Sequence, residues 1–334
     1  MALDLRGVIW LRALLLARLL RLAWLLPLAA LGLFALISMA PIDPVQAYLG
    51  ERTALVGPEQ REAIAAAWGL DRPAPERFRA WLVGALQGDL GRSISYDAPV
   101  GAVIAERLPA SLVLVGGAFL VSFVVGTGLG IAAAAARGGA LDRAIRAVAV
   151  ALSASPGFWI ALLLIAVFAV GLGWLPACCS APPGLTADET GWTDRLRHLV
   201  LPMATLSIVG TAPLVLHTRQ RLVAFLDGPA ALHLRAHGLS WRRIAFGAGL
   251  RHALGPALTL HLAGAGELFG GSVLAETVFA WPGLGQATVR AATGADAALL
   301  MGIGLATLLF VFAGNLMADI AARLVDPRLR QVTA

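Results

Sequence analysis

The chain has 334 residues, is 58% hydrophobic and only 14% charged, and has a mean hydropathy of +0.78, which excludes a soluble domain and points to an integral membrane protein. It contains no lysine, so all 26 basic residues are arginine, and a phosphate-gripping G-x-x-x-x-G-K-[ST] loop is impossible; an ATP-driven step would need another chain. The net charge of +6 does not speak for nucleic acid, because the arginines sort by membrane side, and the two adjacent cysteines, Cys178 and Cys179, cannot build a disulfide framework.

Taken in order, residues 1–21 form a basic cytoplasmic N-terminus with Arg6, Arg12, Arg18 and Arg21. The first span is expected at 22–40, whose length at about 1.5 Å per residue crosses the hydrocarbon core. Ser38-Met39-Ala40 looks like a signal-peptide cleavage site, but Pro41 and the length of the apolar run favour a retained helix. Residues 41–110 are a long polar extracytoplasmic excursion, with short helices expected at Glu59–Trp68 and Pro75–Leu86. Asp71 and Asp89 sit in Gly/Pro-punctuated turns, where a carboxylate commonly accepts backbone N–H groups. Within the membrane core, 111–322, the second span at 111–131 ends in Gly126-Thr127-Gly128-Leu129-Gly130, small residues that let helices approach closely in lipid. A basic loop with Arg137, Asp142, Arg143 and Arg146 precedes the third span, 147–172. Ser155-Pro156-Gly157 should break that span, which is tolerated at membrane depth where the backbone faces protein or a water-filled path.

Residues 173–198 lie outside with Cys178, Cys179, Asp188, Glu189 and Asp194, and the fourth span covers 199–216. A loop, 218–256, follows, and its polar island, Ala231–His252, has six arginines in or beside it. Leu232, Ala236 and Leu239 recur at helical spacing, Gly238 can end that helix in the left-handed conformation, and Ser240 reads as the N-cap of a new helix at Trp241. Leu239 and Ile244 are placed for a hydrophobic staple. This gives helix, sharp turn, helix: a rigid elbow shaped to be pushed by a partner. The fifth span is expected at 257–275, the sixth at 299–322, and a cytoplasmic tail at 323–334. With six spans both termini share a side with the elbow, and that side carries 16 of the 26 arginines, so it is cytoplasmic by the positive-inside rule.

The string Arg235-Ala236-His237-Gly238-Leu239-Ser240, followed by Arg251-His252-Ala253-Leu254 and Pro256, resembles the coupling loop of ABC-importer permeases of the peptide/nickel family. His237 replaces the lysine usual there. Ala40-Pro41-Ile42-Asp43-Pro44, Gly69-Leu70-Asp71-Arg72-Pro73, Gly88–Ser93, Glu106–Ser111, Glu276–Gly285 and Asp326–Arg330 resemble the same family, in order along the chain. The resemblance implies an all-α type I importer permease with six transmembrane helices in a bacterial inner membrane. It also implies a second homologous permease, two ATP-binding subunits on the cytoplasmic side and an extracytoplasmic substrate-binding protein. Arg235 to Ser240 would couple to the ATPases, and no cofactor is expected.

Glu267 is the residue that needs a reason. It lies mid-span in Gly264-Ala265-Gly266-Glu267-Leu268-Phe269-Gly270-Gly271, where an acid costs about 2.5–3.5 kcal/mol on insertion scales, so it should face the bundle interior and a partner. His261, six residues earlier, falls about 120° away on a continuous helix, which argues against a metal site made by the pair. With Ser155 and Pro156 these residues are the candidates for the translocation path. The Gly-Glu-Leu-x-Gly-Gly string resembles the nickel branch, so nickel or a nickel chelate is the first expectation for substrate and di- or oligopeptides the alternative. Cys178 and Cys179 read as an ordinary loop pair or as ligands for a soft metal. Catalytic residues are not expected: Ser155, His217 and Asp319 lie on different helices without a nucleophile-elbow motif. An intramembrane hydrolase and a passive channel are the rival classes.

Overall fold

The computed structural model describes residues 5–40, 44–49, 56–182, 184–185 and 189–325. Most of the Ala40–Pro44 string, Asp188 and the Asp326–Arg330 string lie outside them. The described chain is helical apart from one two-stranded hairpin. Four helices are long and apolar enough to cross a membrane: α1 (Leu5–Ser38), α5 (Val100–Ala135), α8 (Trp192–Asp227) and α14 (Ala297–Val325). Two bent pairs raise the number to six: α6 (Ala140–Ser153) with α7 (Gly157–Leu164) and its π-helical extension to Gly171, and the run from α10 (Trp241–Ile244) through α11 (Leu250–Ala263) to α12 (Ala265–Val278). The count is that of the all-α, six-span fold expected from sequence.

The chain divides into two compact units. The first takes Met1–Arg18, Leu112–Trp281 and Val311–Ala334, and α8 is its central helix. The best apolar stretch of α8 is 56% buried within the chain, against 28% for α5, and α6, α7, α11 and α12 all pack on it. The glycines of the second span explain how α5 meets α8. A Cβ at Gly126 would sit 2.7 Å from Leu214 Cβ and 3.0 Å from the Thr211 carbonyl, and one at Gly130 would sit 2.7 Å from Thr218 Cβ and 2.9 Å from the Val215 carbonyl. Gly128, on the other face, meets nothing within 4 Å. Arg18 of α1 and Asp319 of α14 form an ion pair, so both polar side chains are matched where the flanking sequence is apolar.

The second unit takes Leu19–Ser111 and Pro282–Phe310. The expected short helices are present as α3 (Pro58–Ala67) and α4 (Ala74–Leu86), with a further short helix α2 (Pro44–Leu49) before them. Asp89 Oδ1 accepts the Gly91 N–H at 2.9 Å, the turn bond expected from its setting. No such bond is found at Asp71 among the described residues. Strands β1 (Arg92–Ser93) and β2 (Ala98–Pro99) close a hairpin across the Arg92–Asp97 ion pair. Asp296, fully buried, accepts from Ser93 Oγ at 2.6 Å and the Ser95 N–H at 2.9 Å, while its other oxygen caps α14 through the Leu299 N–H. One buried carboxylate thereby ties the hairpin to α14, with α13 (Leu284–Thr293) leading into it.

Candidate functional site: a basic elbow and an apolar cavity

The elbow begins where α8 ends, at Asp227, with Gly228 leading into α9 (Pro229–Ala236). Gly238 takes φ +78°, and the Gly238 and Leu239 N–H groups donate to the carbonyls of Arg235 and Leu234, the paired bonds of a left-handed helix end. The expected turn is therefore made at the expected glycine. Ser240 takes the extended N-cap conformation ahead of α10, but its hydroxyl makes no cap bond. The stop is fastened by apolar contacts instead. Ile244, 1% exposed, shares one cluster with Ala231, Leu222 and Leu226, and Leu239 packs against it. Arg235 donates to the Leu226 carbonyl at 3.1 Å, which holds α9 to the end of α8. Ala236, His237 and Gly238 are exposed. Residues 245–249 are π-helical before α11 starts, a distortion without a sequence signature.

A buried ion cluster supports the end of α8 from below. Asp142, in the first turn of α6 and ahead of the expected third span, is 0% exposed. It accepts two hydrogen bonds from Arg219, at 2.5 and 2.7 Å, and the Gly138 N–H at 2.9 Å, with Arg146 at 3.3 Å. Arg137 and Asp227 pair nearby at 2.6 Å on the surface. Sequence reading placed Asp142 in a basic loop and missed its burial. The signal available was an acid four residues before Arg146 and embedded among arginines.

The third span breaks where the sequence says. α6 stops at Ser153 and α7 restarts at Gly157, with a 108° bend between the two helical segments. The fifth span is also broken, at Gly264, by 53°, which sequence reading did not anticipate. His261 and Glu267 stand on either side of this second bend, and both line one cavity of about 450 Å³ among α7, α8, α11 and α12. Gly157 and Phe158, just past the first break, line it too, whereas Ser155 and Pro156 do not; the Ser155 hydroxyl donates back to the Ala151 carbonyl.

His261 is 5% exposed and stacked on Phe119 at 3.9 Å between ring centroids. Its Nε2 lies 2.9 Å from the Phe119 carbonyl and 3.2 Å from Ser122 Oγ, so the imidazole is bound to α5. Glu267 is different. It is exposed on the cavity, and among the described residues no side chain or N–H of this chain bonds its carboxylate. The interior partner expected from sequence is absent among the described residues. A larger cavity, about 1170 Å³, lies in the second unit and is bordered by Arg61, Arg72, Arg77, Trp68 and Trp81. No group of three or more metal-ligating side chains converges among the described residues. Cys178 and Cys179 are joined to each other as a disulfide, which removes the thiolates a soft metal would need; the Cys179 N–H donates to the Phe279 carbonyl at 2.7 Å.

Comparisons with known proteins agree with this architecture. Residues 126–331 match the family described as binding-protein-dependent transport system inner membrane component. A putative peptide permease protein of Brucella suis biovar 1 is 34% identical over 299 residues, covering 89% of this chain and 92% of the relative. The oligopeptide transport system permease protein AppB of Bacillus subtilis is 32% identical with the same coverage. The di/tripeptide transport system permease protein DppB of Pseudomonas aeruginosa is 33% identical, again over 89% and 92% of the two chains. Among solved structures, a chain of the MetNI methionine ABC transporter in an inward-facing conformation superposes with a TM-score of 0.54 at 18% identity, covering 67% of this chain and 96% of that one. At that identity the superposition speaks for the fold, and the fold is that of a type I importer permease. With a family match over more than half its length and relatives above 30% identity along nine tenths of it, the chain belongs to the binding-protein-dependent transport system inner membrane components, the permease subunits of ABC importers.

Proposed function

We propose that this chain is one of two permease subunits of an ATP-driven importer of short peptides, with both termini and the α9 elbow on the cytoplasmic side. Two ATP-binding subunits would dock at Arg235–Ser240, and an extracytoplasmic binding protein would deliver substrate. ATP binding would draw the ATPases together, the elbow would pass the movement to α8 and α11, and the cavity would change the side to which it opens. The path would run past Gly157, His261 and Glu267, with Ser155 and Pro156 providing the break rather than the lining. This chain would make and break no covalent bond.

The observation that carries the substrate class is the similarity, along 89% of the chain, to proteins named as peptide permeases. It moves the balance from nickel, the first expectation from sequence, to peptides. The cavity argues the same way. Nickel is well held by several imidazole, thiolate or carboxylate ligands together. Here the Nε2 of His261 is already committed to α5, and no group of three or more ligating side chains converges among the described residues. The test is uptake into proteoliposomes holding the complete complex, with labelled dialanine and labelled nickel side by side. ATP-dependent accumulation of the peptide without nickel is expected; accumulation of nickel without peptide would reverse the assignment.

A further inference from the structure

We infer that the Glu267 carboxylate receives the ammonium group of the peptide as it crosses the membrane, an inference that rests on the peptide-importer reading. The cavity is mostly apolar, and three of its lining side chains, those of Thr205, His261 and Glu267, are polar or ionisable. Two of these are occupied. The Thr205 hydroxyl donates to the Leu201 carbonyl at 3.0 Å, and His261 Nε2 is bound to the Phe119 carbonyl. Glu267 is the one carboxylate of the lining, no side chain or N–H of the described residues bonds it, and it stands beside the 53° break at Gly264, where the chain departs from a straight helix.

Glu267 lies in the first turn of α12, and no side chain or N–H of the described residues bonds its carboxylate, so its acceptor oxygens are open to a donor that arrives from outside this chain. An anion offers no such donor, and a neutral solute offers only uncharged hydrogen bonds. A divalent metal would find one carboxylate and at most the Nδ1 of one imidazole, a thin ligand set. A group with positive charge and several N–H donors fits, and an ammonium has both. A peptide carries such a group at its amino terminus at neutral pH, and again on any lysine. The lining holds no lysine or arginine, so the cavity offers no matching grip for the carboxyl end. Recognition here would be one-ended, which suits a path that must pass peptides of differing side chains. The size, about 450 Å³, lies within the range of small-molecule sites.

The same cation chemistry has a second source, an arginine or lysine of the partner permease, and the experiment separates the two. The complete complex is reconstituted with wild type, Glu267→Gln and Glu267→Asp. Initial ATP-dependent uptake of labelled dialanine, binding-protein-stimulated ATP hydrolysis, and the amount of partner permease that co-purifies are measured for each. Loss of one charge-assisted hydrogen bond should lower the uptake by Glu267→Gln about tenfold or more. Glu267→Asp should retain a larger share, and partner recovery should be unchanged in both. Equal uptake by wild type and Glu267→Gln would overturn the inference while leaving the peptide reading intact. Loss of partner permease in step with uptake would also overturn it, by assigning the carboxylate to the subunit interface. A wild-type complex that takes up no dialanine would overturn the peptide reading and this inference with it.

Discussion

Arg219→Leu should be among the most destabilising single changes at the elbow end of α8, and Asp142→Asn introduced with it should restore part of the loss. Asp142 is fully buried, whereas the Arg219 side chain is 20% exposed and Arg146 is 45% exposed. Removing one partner from a buried ion pair typically costs about 3–5 kcal/mol, because an uncompensated charge is left behind. Here the Gly138 N–H and Arg146 remain, and a half-exposed arginine replaces at most about 1 kcal/mol, so the net cost should be about 2–4 kcal/mol. Asp142→Asn with Arg219→Leu removes the orphaned charge along with its partner, so the double variant should be more heat-resistant than Arg219→Leu alone. The measurement is the fraction of assembled complex that survives graded heating, read by gel filtration, for wild type, both single variants and the double variant. Arg219→Leu as heat-resistant as wild type, or losses that simply add in the double variant, would refute the reasoning.

Two further outcomes follow from glycine geometry. A Cβ at Gly238 would meet nothing within 4 Å, so Gly238→Val acts through its φ of +78° alone; transport and stimulated ATP hydrolysis should fall while the amount inserted in the membrane stays level, and Gly238→Asn should be milder. Gly126→Val should lower the yield of folded protein in a fluorescence-detected gel filtration, by overpacking of about 1–3 kcal/mol against Leu214 and Thr211, whereas Gly128→Val, with open space at its Cβ, should express as wild type does.

The features legible in the sequence are those set by local chemistry. Proline and glycine at 156–157 break the third span, Gly238 turns the elbow, and apolar runs of sufficient length become helices. What escaped depends on partners distant in sequence. The 53° bend at Gly264 has no proline to announce it, and Gly264 differs little in context from Gly266 or Gly270. His261 and Glu267, on either side of the bend, line one cavity, which the angle between them on an unbroken helix does not describe. His261 is bound to Phe119 and Ser122, about 140 positions away, and no periodicity encodes that contact. The π-helical turns at 165–171 and 245–249 have no compositional mark. Asp142 was visible as an acid among arginines, but its burial comes from α6 lying on α8, a packing fact.

The proposed alternation of the cavity can be measured at Val209, which lines it and is 41% exposed in this chain. Val209→Cys, with Cys178 and Cys179 replaced by serine, is introduced into the complete complex and treated with an impermeant maleimide. Right-side-out and inside-out vesicles are compared, with and without ATP trapped by vanadate. The account predicts labelling from the cytoplasmic face without nucleotide and from the extracytoplasmic face in the trapped state. Labelling from the same face in both states, or from neither, would contradict it.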